Sequence, residues 1–107
     1  MIRQGDVLFI PTTDAIPEYL TERGKNEKGI VMEGEATGHH HRIANLEAAE
    51  VFRSGWAGGE SFVRVSDQGV SIVHEEHAPV QLPAGNYRVK IAREYDYLAN
   101  AARFSRD

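Results

Sequence analysis

An all-β fold is predicted: a small single-domain barrel or sandwich over residues 1–107, with a short C-terminal helix. Three observations carry it. Seven or eight short runs are rich in β-branched and aromatic residues, turn signals separate most of them, and helix-favouring sequence is concentrated at the chain end. A chain of 107 residues has room for one hydrophobic core and is short for two.

Gln4–Pro11 reads as a short buried strand stopped by a proline that cannot donate to a ladder. The polar stretch Thr12–Gly29 reads as a loop with one helical turn around Pro17–Leu20. Ile30–Glu33 begins a second strand, and Gly34–Gly38 leads into three consecutive histidines. Glu50–Arg53 and Phe62–Val65 are strand-like and joined by the glycine-rich Ser54–Glu60, with Trp56 at the tip. In Val70–His74, positions 70, 72 and 74 share one face. Val80–Leu82, the Pro83–Asn86 turn and Tyr87–Ile91 form strand, turn and strand, with Tyr87, Val89 and Ile91 inward and Arg88, Lys90 and Ala92 outward. Tyr97–Phe104 is rich in alanine and favours a helix that Asp96 can cap.

Composition narrows the function classes. Hydrophobic residues are 41% and charged residues 26% of the chain, the balance of a folded soluble domain. A formal charge of −4 disfavours nucleic acid as the partner, because phosphate neutralisation needs concentrated Lys and Arg. No apolar run approaches the roughly 20 residues that cross a bilayer, and the first residues lack a signal-peptide pattern, so a cytoplasmic protein with no membrane partner is expected. With no cysteine, a transition metal would have to be held by His, Asp, Glu or water.

All five histidines lie between positions 39 and 77, as His39-His40-His41 and His74/His77. On an extended chain His39, His41 and Ile43 share one face, and His40 and Arg42 take the other. Two imidazoles two residues apart on a strand can share an ion, and a sheet can bring His74 to them. His39, His41, His74 and His77 are therefore the candidate metal ligands, with His77 either a fourth ligand or an acid/base beside them. His74-Glu75-Glu76-His77 has two residues between its histidines where the zinc-protease helix has three, which rejects that reading. His74 and His77 converge only if the chain bends between them, which Ala78-Pro79 favours. Glu75 and Glu76 are candidate general bases, and Arg42, Arg88 and Arg93 are candidates to grip a carboxylate or phosphate, Arg88 foremost.

The Gly38-His39-His40-His41 segment, followed by Leu82-Pro83-Ala84-Gly85 before a strand, resembles the two motifs of the cupin superfamily across roughly 29–92. The resemblance implies a β-barrel with a metal held by His39 and His41. Glu47 lies two places beyond that family's usual glutamate, and Arg88 stands where its last histidine would fall. Either His74 or His77 then supplies the missing ligand, or the chain is a different small β fold with similar turns. Gly34–His41, His74–His77 and Arg93-Glu94-Tyr95 also resemble segments of a family of small uncharacterised bacterial and phage proteins, from which no activity follows.

The expectation is a metal-dependent enzyme, a hydrolase or a hydration-type lyase, that activates water with a divalent transition metal. Zinc is the first choice of ion, with nickel, iron or manganese as alternatives, and the substrate is a small molecule, anionic if the arginines grip it. Two other classes remain open. One is a structural metal site with four protein ligands in an interaction module; the other is a metal-free His/Glu acid–base enzyme acting on a nucleotide or sugar. Homo-oligomerisation is expected from the unprotected edges of so small a barrel and from Trp56.

Overall fold

A computed structural model of the chain describes residues 1–33, 38–54 and 60–92. The Trp56 tip, Arg93 and the expected C-terminal helix lie outside the described residues. Among the described residues nine strands form: β1 (Ile2–Gln4), β2 (Val7–Thr12), β3 (Ile30–Glu33), β4 (His40–Ile43), β5 (Ala49–Arg53), β6 (Ser61–Val65), β7 (Val70–Val73), β8 (Val80–Leu82) and β9 (Gly85–Ile91), with one helix, α1 (Glu18–Arg23). The expected first strand is in fact two. Gly5, at φ 60°, and Asp6 make a two-residue turn that pairs Gln4 with Val7, so Gln4 ends β1 instead of starting β2.

Among the described residues the strands divide into two antiparallel sheets and do not close a barrel. One sheet has the order β1-β2-β9-β6-β5 and the other β3-β4-β7-β8. The core lies between them. Phe9, Val51, Val63 and Val89 from the first sheet meet Ile43, Ile72 and Leu82 from the second, all 5% exposed or less. This is the sandwich form of the predicted class, and the strand alternation explains it: positions 70 and 72, and 87 and 89, fill the gap as expected. Ala92, expected outward, is buried where its N–H donates to the Asp6 carbonyl.

Part of the outer face of the larger sheet is covered as well. Val51 and Val63 face the sandwich core, whereas their neighbours Phe52 and Phe62 pair on the opposite face beneath Ile16 and Leu20. Adjacent apolar residues in these strands therefore reflect two burial environments. In the smaller sheet, a bulge between Ile30 and Met32 resets the β3–β4 register and sets Glu33 opposite His40.

The sheets also meet where β1 lies beside β8. Here a side chain makes the connection: the Gln4 amide donates to the carbonyls of Ile72, at 2.9 Å, and Ala78, at 3.0 Å. The histidines gather at this mouth of the sandwich.

Candidate metal centre

The strand period divides the three consecutive histidines as predicted. His41 is buried on the core face with Ile43, and His40 turns to the other face, where its Nε2 lies 2.9 Å from a Glu33 carboxylate oxygen. His39, just before β4, is on the His41 side. Across the sheet, Arg42 pairs with Val73, which places His74 beside the histidines of β4.

After His74 the chain bends at once. The Glu76 N–H donates to His74 Nδ1 at 3.0 Å, closing a local turn that brings His77 back over His74 with ring centroids 4.7 Å apart. Gln4 holds the far side of this loop through the Ala78 carbonyl. The bend that sequence spacing requires is thus made by a side-chain acceptor and a buried amide.

His74 is the hub of the group. Its ring centroid is 4.3 Å from that of His41 and 5.8 Å from that of His39, the latter edge-on. One ligand atom from each of His39, His74 and Glu75 lies within 4.8 Å of the others, a spacing that slight movement could close around one ion. Glu75 is held in place because its carboxylate accepts the His40 N–H at 2.9 Å. That bond holds its pKa below the usual carboxylate range. A Glu76 carboxylate oxygen lies 3.4 Å from His39 Nδ1. His77 is exposed, with its ring against Gly5: a β-carbon on that glycine would stand 2.6 Å from His77 Nε2.

His41 is the buried member of the group. Burial, and next to it the neighbouring His74, push its pKa down to about 4, so the imidazole is neutral at pH 7. Its Nδ1 lies 2.9 Å from the Gln4 side-chain oxygen. Gln4 is 2% exposed and was not among the residues the sequence singled out. Its only available signal was the Gly5-Asp6 turn, which ends a strand at position 4.

The structure does not bring Arg88 to this group. Strand alternation puts it on the outer face of the larger sheet, with its guanidinium over the Phe62 ring at 5.3 Å and paired with Asp14 at 3.3 Å and Glu60 at 3.7 Å. Arg88, expected as a catalytic residue, therefore lies apart from the histidines it was expected to serve. The motif position matches that of a ligand histidine in cupins, but the face of β9 that Arg88 occupies is the one it shares with Phe62 of β6. Arg42 is exposed on the side away from Ile43, and Glu47 is exposed in the turn after β4. No helix among the described residues is long and apolar enough to cross a membrane.

Residues 3–92 match the family model described as Domain of unknown function (DUF8820). The chain belongs to this family. Gln4, all five histidines, Glu75 and Glu76 lie inside the matched DUF8820 region. No match to the chain was found among the curated proteins or the solved structures.

Proposed function

We propose that this DUF8820 chain binds one divalent transition metal at the mouth of the sandwich and uses it to activate water, as a metal-dependent hydrolase or hydration-type lyase. The observation that carries the reading is the convergence of His39, His74 and Glu75, with donor atoms within 4.8 Å, beside His41 and His77. Zinc is the first ion to test, and the mixed nitrogen and oxygen donors also suit nickel, iron or manganese. When bound, such an ion lowers the pKa of water toward neutrality. Glu75, expected as a base, is better placed as a ligand, which leaves Glu76 as the carboxylate to take a proton.

His74 has to adjust for this role. Its Nδ1 already accepts the Glu76 N–H, so an ion must either replace that N–H or take Nε2 after the ring proton moves to Nδ1. Either route loosens the 74–77 turn. The exposure of Glu75 and the partial exposure of His39 and His74 favour an open site over a closed structural one. The likeness to cupins supports the same class of chemistry through His39 and His41. Its second half would be supplied here by residues 74–77, because Arg88 lies elsewhere. With Arg88 already paired to Asp14 and Glu60, the reading does not require an anionic substrate.

The test is metal analysis of tag-free protein, followed by zinc(II) titration and X-ray absorption on the loaded protein. About one ion per chain is expected, with mixed N/O ligation and at least one water. His74→Ala should abolish the binding, and Glu75→Gln should weaken it at least tenfold. Four protein ligands with no water would establish the structural role instead. Absence of stoichiometric metal, together with zinc affinity unchanged by His74→Ala, would overturn the metal reading.

A further inference from the structure

We propose that Gln4 is a positioning residue for the histidine centre. It locks His41 in the Nδ1–H form and leaves Nε2 as the lone pair with which that ring serves the site. The role in metal binding rests on the proposed function; the lock itself does not.

Contacts at the end of the Gln4 side chain fix which way its amide points. Its terminal group faces the carbonyls of Ile72 and Ala78 at 2.9 and 3.0 Å. Carbonyl oxygens only accept, so the group facing them must be the NH2, and both of its hydrogens are used. The amide oxygen is thereby fixed toward His41 Nδ1 at 2.9 Å, and an oxygen acceptor there requires Nδ1 to carry the proton. Reversing the amide would set NH2 against the ring and oxygen against two carbonyls. The backbone of β7 and of the 74–79 loop thus chooses the tautomer of a histidine on β4.

This form differs from the Nε2–H tautomer that neutral histidine side chains generally prefer in water. Holding it takes a buried and fully bonded partner, and Gln4, at 2% exposure, is one. A metal-ligating histidine is commonly fixed through a hydrogen bond from its other ring nitrogen, and loss of such a partner typically weakens metal binding about 10–100-fold. His41 and His74 differ in this respect. His41 is prepared in advance, whereas His74 must exchange a hydrogen bond or shift a proton.

Long-range 1H–15N correlation spectra of metal-free protein at pH 7.5 test the lock. The expected result is a protonated Nδ1 and an unprotonated Nε2 on His41; an Nε2–H form would overturn it, even if no variant folds. In Gln4→Leu the His41 signals should move toward the Nε2–H pattern, and zinc(II) affinity should fall about 10–100-fold. An unchanged His41 pattern in a folded Gln4→Leu protein would also overturn the lock. On addition of zinc(II) to the unsubstituted protein, Nδ1 should keep its proton while Nε2 shifts. If His39 and His74 respond and His41 does not, the assigned service of Nε2 is wrong. If no histidine responds, the metal reading fails, and the metal-free spectrum still decides the tautomer.

Discussion

At His41 the loss of water costs the charged imidazole more than its acidic neighbours return, and its pKa is about 4 in the fold against 6.5 for the unperturbed ring. Between these values the unfolded chain binds a proton that the folded chain does not. The His41 contribution to stability is therefore fully present above pH 6.5, is lost as pH falls toward 4, and changes no further below that. The loss is on the order of 3 kcal/mol, because each pH unit separating the two values corresponds to about 1.36 kcal/mol. Urea midpoints of metal-free protein at pH 7.5 and 4.5 should differ more in the unsubstituted chain than in His41→Gln. Equal differences would assign the pH dependence to another group. Which histidines face inward was legible in the sequence, because alternation alone separates His39 and His41 from His40. The part played by Gln4 was not, because its three partners come from positions 41, 72 and 78.

At the scale of elements, the β1–β2 turn and the 74–77 bend meet through Gly5 and His77. Gly5 occupies the left-handed region at φ 60°, where an L side chain costs about 1–2 kcal/mol, and its missing β-carbon makes room for the imidazole. Gly5→Ala should therefore lower stability by about 1–2 kcal/mol and displace the His77 ring. Chemical denaturation and the His77 ring resonances are the measurements, and unchanged resonances would remove His77 from contact with this turn. Most strands were legible because their apolar alternation is local. The break at Gly5 was missed because Gln4–Pro11 contains enough β-forming residues to read as one run. The outward Phe52 and Phe62 become intelligible only once α1 lies over them.

Across the whole molecule, the candidate site joins the two sheets: Gln4 belongs to one, and the histidines to the other or to its loops. An ion bound only by the folded state would stabilise the chain by about 2.7 kcal/mol at a free concentration one hundred times its Kd. For a domain of this size, that corresponds to a rise in Tm on the order of 10–20 °C. Zinc(II) should produce this rise, EDTA should reverse it, and His39→Ala should remove both responses. A Tm indifferent to zinc(II) would mean that the folded state does not bind the ion preferentially. The same scale explains where Arg88 lies. Its motif position resembled that of a ligand, but sheet order and strand face carried it to Asp14, Glu60 and the Phe62 ring.

The sequence by itself determined the β class, most strand positions, the inward and outward division of His39-His40-His41, and the need for a bend between His74 and His77. These follow from local periodicity and turn chemistry, which act over a few residues. Only the tertiary structure decided that the strands form two sheets, that Glu75 lies with His39 and His74, that Arg88 stands apart, and that Gln4 meets His41. Each of these depends on contacts between residues far apart in the chain, as far as Gln4 from Ala78 and Val7 from Ile91, brought together by burial of the common core.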